Sequence, residues 1–228
     1  MAAAGTTAPR MGRLILGVTL HGYRHSVYAR IARMVCAEKS VAYGWAEVNP
    51  FADPLPDGFL ALHPFRRVPV LEHDGFVLYE TAAITRYLDE AFPGAALQPA
   101  DPRDRGRMTQ IIAIIDSYGY WPMVRQVFSH RVFRSRLGEP VDEAQIRIGL
   151  QASHKVLDAL ERLTGPAGYL AGSAVSLADL HVAPMMAYFT AAEEGQAALA
   201  AYPRLSAWWE TMHSRQSLRE TDPESFPG

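Results

Sequence analysis

The side chains that could do chemistry stand mainly at the starts of helices. Ser26 opens the segment SVYARIARMVCAEK, in which Val27, Ile31, Met34 and Val35 recur at helical spacing. A hydroxyl there caps the helix, and the free first-turn N–H groups favour an anion beside it. Thr81 opens a second helical segment in the same way, with Ala82, Ile84, Tyr87 and Leu88 on one side. Ser176 and Asp179 have the S-x-x-D spacing of a capping box, which assigns them to folding rather than to catalysis. Tyr118, Tyr120, Trp121, Met123 and Phe128 cluster, with Arg125 and Arg134 nearby. Such an aromatic wall with an occasional cation suits a hydrophobic acceptor, an anionic one included, although each aromatic alone more often belongs to a core or a dimer interface.

Other chemistries are excluded. Cys36 is the single cysteine, so no intramolecular disulfide framework or multi-cysteine zinc site can form. It falls on a mostly apolar helix face, as a small core residue does. His21, His63, His73, His130, His154, His181 and His213 show no H-x-x-x-H or similar ligand spacing, so no metal is expected. The 22 basic and 24 acidic residues leave a net charge of −2, which disfavours nucleic acid as a partner. No apolar run approaches the roughly 18 residues of a membrane span. The start, MAAAGTTAPRMGR, lacks the apolar core of a secretory signal. Residues 1–12 are expected to be a loose tail and the protein cytoplasmic.

The elements that must position these residues divide in two. Residues 13–20, RLILGVTL, read as a buried strand, followed by a turn at Gly22, the Ser26 helix and a strand over residues 41–48. NPFADPLPDG is loop, and GFLALHP allows one or two helical turns. VPVLEH and FVLYE flank Asp74-Gly75, the dipeptide of a type I′ hairpin. The order is β-α-β-α-β-β-α. After a proline- and aspartate-rich connection everything reads as helix, with a kink expected at Gly119 and Pro122. Later helices follow in DEAQIRIGLQASHKVLDALERL, VSLADLHVAPMMAYFTAA and YPRLSAWWETMHSRQSL. Two domains are expected: α/β over residues 13–92 and all-helical over residues 104–228. A chain of 228 residues buries roughly 70 % or more of its unfolded surface, so neither domain needs a staple.

Three motifs in order carry a resemblance. HPFRRVPVLEHDGFVLYETAAITRYLDEAFP is similar to a stretch of the form N-P-x-G-x-V-P-x-L, D-G, E-[ST]-x-A-I. VSLADLHVAP is similar to an [ST]-x-A-D box, and YPRLSAWWETM to a YP-x-L-x-x-W segment. Over nearly its whole length the chain resembles the glutathione transferase superfamily, in serine-type members such as the phi, tau and theta classes. The resemblance implies a thioredoxin-like domain, a short linker and a helical bundle.

It also implies roles. Ser26 lies twelve residues before Glu38-Lys39, where serine-type members place the hydroxyl that hydrogen-bonds the glutathione thiolate, and Val27-Tyr28 stand where Pro-Phe is usual. Tyr23 is an alternative phenol near the sulfur or substrate, in a register that fits tyrosine-type members less well. Arg24 and His25 depart from the usual pattern and read as solvated. Val68-Pro69 would form a cis bond that lets Val68 pair with glutathione like an added strand, and Arg67 would meet the glycyl carboxylate. Glu80 would accept from the γ-glutamyl ammonium group, and Thr81 would hold its carboxylate at the helix start. Tyr118 and Trp121 would face the electrophile. Without C-P-x-C or C-P-F at the helix start, cysteine-type thiol transfer is disfavoured.

The implied partners are glutathione as co-substrate, a small hydrophobic electrophile and, as a homodimer, a second copy of the chain. The same scaffold also supports glutathione-dependent isomerases, dehalogenases and disulfide reductases, and modules that bind without catalysis.

Overall fold

The computed structural model describes residues 17–165 and 168–225. The expected loose tail and the beginning of the first predicted strand lie outside the described residues. Strand β1 (Val18–Gly22) runs two residues past the predicted end, so Gly22 closes the strand instead of turning the chain. A Cβ on Gly22 would come within 2.3 Å of the Trp45 ring, so the glycine leaves room for that indole against the strand. Helix α1 (Val27–Glu38) and strand β2 (Tyr43–Glu47) follow, then the short α2 (Phe59–Leu62). Strands β3 (Val70–His73) and β4 (Phe76–Tyr79) form the hairpin, with Asp74 and Gly75 both at positive φ, as a type I′ turn requires. Helix α3 is Thr81–Ala91.

The sheet order is β2-β1-β3-β4. Strand β1 is parallel to β2 and antiparallel to β3, and β3 is antiparallel to β4. Adjacent residues of β3 face opposite ways: Leu71 joins the main core with Leu20, Ile31 and Ile84, while Val70 packs with Val48 and Phe59 beneath α2.

The helical part comprises α4 (Pro102–Ile114), α5 (Glu143–Leu163), α6 (Leu177–Thr190), α7 (Glu193–Leu199), α8 (Pro203–His213) and α9 (Gln216–Glu220). From Ile115 to Arg134 the chain continues from α4 as a π-helix. Gly119 and Pro122, where a kink is expected, lie inside this π-helix. The wider turn accommodates the missing proline N–H and its ring without breaking the helix. The last predicted helix is in fact two, α8 and α9, broken at Ser214-Arg215. Helix α6 is buried on nearly all sides and packs against both α1 and the π-helix. Its start is fixed by Asp179, which accepts from the Ser176 N–H (2.8 Å), the Leu170 N–H (2.9 Å) and the Trp208 indole (2.8 Å).

Two devices lock the parts together. Lys39, at the end of α1, is buried and donates to the Asp89 carboxylate (3.1 Å) and to the backbone oxygens of Asp89 and Ala95. The arginines on α1 are also buried, at 3 % and 4 % exposure, because the segment after α8 covers them. Arg30 donates to the Leu218 carbonyl and the Asp222 carboxylate, and Arg33 to the Thr221 carbonyl.

Candidate active site

The turn between β1 and α1 delivers Ser26. Its N–H donates to the Tyr23 carbonyl at 2.8 Å, which closes a tight turn. The Ala29 N–H donates to Ser26 Oγ at 3.3 Å, as in an N-cap. A hydroxyl has two lone pairs and one proton, so capping occupies an acceptor site and leaves the proton for another partner. Capping and donation to an anion are therefore compatible at one atom.

Ser26 lines a cavity of about 420 Å³ between the two parts of the molecule. Tyr23, His25, Arg67 and Val68 line it from the α/β side, and Trp121, Arg125 and Phe128 from the π-helix. The residues facing it along that helix recur every four or five positions: 120, 124, 128 and 133, with 121 and 125 beside them. Tyr118 falls between those rows. It is 68 % exposed and outside the cavity lining, unlike the substrate-facing position expected from sequence, whereas Trp121 does line it.

The expected solvation of Arg24 and His25 is corrected. Arg24 is half-buried and donates to the Pro223 carbonyl at 3.4 Å. The His25 ring packs between Tyr23 and Phe133, each at 5.3 Å. Burial, reinforced by Arg24, pushes the His25 pKa down and keeps its imidazole neutral near pH 7. Burial raises the pKa of Tyr23, which remains a neutral phenol capable of donating.

The loop before β3 supplies Arg67 and Val68, and the Val68–Pro69 peptide is cis. His63 anchors this loop: it is buried, its Nδ1 accepts from the Phe65 N–H at 3.3 Å, and its ring lies 4.6 Å from that of Tyr79. Burial lowers the His63 pKa as well. Arg66 sits at φ 54° and donates to the Ala52 carbonyl at 2.9 Å.

Glu80 precedes α3 at φ 71°, ψ 116°, a sparsely populated conformation for a residue with a Cβ. Its carbonyl accepts from the Ile84 N–H at 2.9 Å, and Thr81 follows, nearly buried. Glu80 and Arg67 both act electrostatically on Tyr28, a cavity residue, and on His63. The Glu80-Thr81 corner thus lies beside the Arg67–Val68 loop, although it is not part of the cavity wall.

Among the described residues no three His, Cys, Asp or Glu side chains converge as a metal site would require, and no helix is long and apolar enough to cross a membrane. Cys36 is buried, and burial raises its pKa to about 12, so it is no competing nucleophile.

Comparison with known proteins bears on this geometry. Residues 20–96 match the model of the glutathione S-transferase N-terminal domain, and residues 120–216 that of the C-terminal domain. Glutathione S-transferase F9 of Arabidopsis thaliana is 30 % identical over 89 % of this chain and 96 % of its own. The chain belongs to the glutathione S-transferase family. A solved glutathione S-transferase III in apo form superposes with a TM-score of 0.81 at 27 % identity, over 93 % of this chain and 99 % of that one. The fold of this glutathione S-transferase is therefore the thioredoxin-like domain followed by a helical domain that the motifs implied. A maleylacetoacetate isomerase of Pseudomonas aeruginosa is also similar, at 29 % identity over 91 % of this chain and 97 % of its own.

Some residues of the site had no sequence signal. Tyr188 is buried in α6, and its hydroxyl donates to the His25 carbonyl at 3.2 Å, beside Ser26. Phe51 reaches the cavity from the proline-rich loop. Neither spacing nor motif marked them, since both act across long sequence separations.

Proposed function

We propose that this glutathione S-transferase binds glutathione along the Arg67–Val68 loop and the Glu80-Thr81 corner and conjugates it to a small hydrophobic electrophile. The observation that carries the reading is Ser26, whose hydroxyl proton is spare at the helix start inside the shared cavity. A free thiol has a pKa near 8.5, and lowering it by about two units requires roughly 2.7 kcal/mol of preference for the thiolate. The Ser26 hydroxyl and the first-turn N–H groups of α1 supply that preference, and the thiol proton leaves to water. The thiolate then attacks the electrophilic carbon. A C–S bond forms, and the leaving group departs with the bonding pair or, in an addition, that pair moves onto the acceptor and is protonated by solvent.

The test is a glutathione titration followed by the ultraviolet thiolate band. Wild type should bind and show thiolate at neutral pH. Ser26→Ala should bind within about threefold and lose the band. Persistence of the band would move the activating role to Tyr23, checked with Tyr23→Phe. Absence of binding in wild type would overturn the reading altogether.

A second reading, glutathione-dependent isomerisation, is supported by the similarity to maleylacetoacetate isomerase. There the thiolate adds and later leaves, so glutathione is not consumed. Counting glutathione against product separates the two. A cytoplasmic, homodimeric form is part of the proposal. Exposed Phe76 and Val77 on edge strand β4 are apolar surface that a second copy would cover.

A further inference from the structure

The wall of the Ser26 cavity contains three arginines, Arg66, Arg67 and Arg125, and no carboxylate. Two of the three have other tasks: Arg66 is tied to the Ala52 carbonyl, and Arg67 stands with Val68 on the glutathione side. Arg125 is across the cavity on the π-helix. Its guanidinium carbon lies 5.7 Å from the centroid of Phe51 and 6.0 Å from that of Trp121, two aromatic faces that hold a cation in place. It is half-buried and makes no ion pair among the described residues.

The nearby acids lie outside that wall. Glu47 accepts from the Arg24 N–H and the Trp45 indole, and the Asp116 carboxylate lies 3.6 Å from His181 Nδ1. Asp222 and Glu224 line an adjoining cavity of about 310 Å³, where they pair with Arg30 (3.1 Å) and Arg136 (2.9 Å). Glu80 sits on the α3 side, near Arg67.

We infer that Arg125 determines specificity in the electrophile site and that the favoured electrophiles carry a carboxylate on an aromatic or planar apolar body. The inference rests on the glutathione reading. Both carboxylates of glutathione are then met on the sheet side, at Thr81 and Arg67, so an anion held by the helical wall belongs to the other substrate. The apolar body would lie against Val124 and Phe128, and the planar guanidinium would take the carboxylate by two parallel hydrogen bonds.

The experiment needs no turnover. Calorimetry compares S-benzylglutathione with S-(3-carboxybenzyl)- and S-(4-carboxybenzyl)glutathione on the intact protein. Wild type should bind at least one carboxylated conjugate about tenfold more tightly than the benzyl one. Arg125→Met, which keeps an apolar stem over Phe51 and Trp121, should erase that preference and leave S-benzylglutathione within twofold. Arg125→Lys should keep part of it. Equal binding of all three by wild type, or an equal loss for all three in Arg125→Met, would overturn the inference while the glutathione reading stands. Failure of every conjugate to bind would overturn both.

Discussion

At residue scale the site combines folding and binding at single atoms. Ser26 caps α1 with a lone pair and keeps a proton to donate, while Glu80 carries a backbone conformation that its own side chain disfavours. Conformations of that kind cost roughly 1–3 kcal/mol and persist where the surroundings impose them. Glu80→Gly removes the steric penalty and also the proposed ammonium acceptor. Its two effects should therefore have opposite signs: unfolding harder by up to about 1 kcal/mol, after glycine's greater unfolded-state entropy is subtracted, and a glutathione Kd about tenfold higher, as expected for losing a charge-assisted bond. Thermal unfolding and calorimetry on one preparation check both. A variant that is less stable and binds normally would place Glu80 in the fold alone.

At element scale Asp179 is the sharpest dependency. Four buried donors, the Leu170 N–H, the Ser176 N–H and hydroxyl and the Trp208 indole, converge on its carboxylate. Each donor left without a partner costs about 1–3 kcal/mol, so Asp179→Ala should lose upwards of about 4 kcal/mol, a large share of a typical domain's stability. Asp179→Asn keeps one acceptor oxygen and should lose about half as much, as urea unfolding would measure. The S-x-x-D spacing made this cap legible, just as Asp74-Gly75 made the β3–β4 turn legible, because both depend on neighbours within four residues. What depends on distant chain was hidden. Nothing within a few residues of Arg30 and Arg33 marks them for burial, since it is the segment after α8 that covers them. Pro122 disrupts an ordinary α-helix, and no local spacing announces that the chain around it winds as a π-helix. Tyr118 was placed in the site, with Trp121, by sequence proximity, yet helical rotation separates them.

At the scale of the whole molecule, burial lowers the pKa of His25, His63 and His130. The unfolded chain then binds more protons than the folded one below its histidine pKa of about 6.5, so stability is complete above that pH and declines as pH falls through the lowered values. A second decline should follow at lower pH. Burial opposes ionisation of Glu38, but hydrogen bonds from Arg215 (2.5 and 2.7 Å) and Ser217 outweigh it and lower the pKa. Stability from that group is lost as pH falls below the ordinary glutamate range of about 4.3. Scanning calorimetry from pH 8 to pH 2.5 should show a flat region and two descents. His63→Asn, which retains an acceptor for the Phe65 N–H, should soften the first. A flat profile from pH 7 to pH 5.5 would remove the histidines from the account.

The cover that Leu218–Asp222 lays over the α1 arginines also has a meaning in time. During synthesis the α/β elements leave the ribosome first. Arg30 and Arg33 must then wait, hydrated and unable to settle into the interior, until some 190 further residues have been made, as the sequence separations of their bonds record. A chain stopped short of Leu218 would deprive Arg30, one helical turn from Ser26, of the Leu218 carbonyl and the Asp222 carboxylate, and Arg33 of the Thr221 carbonyl. Completion of the polypeptide is thereby written into the first helix, and a truncated product would betray itself by a loosened reaction centre before any protease or chaperone had to measure its length.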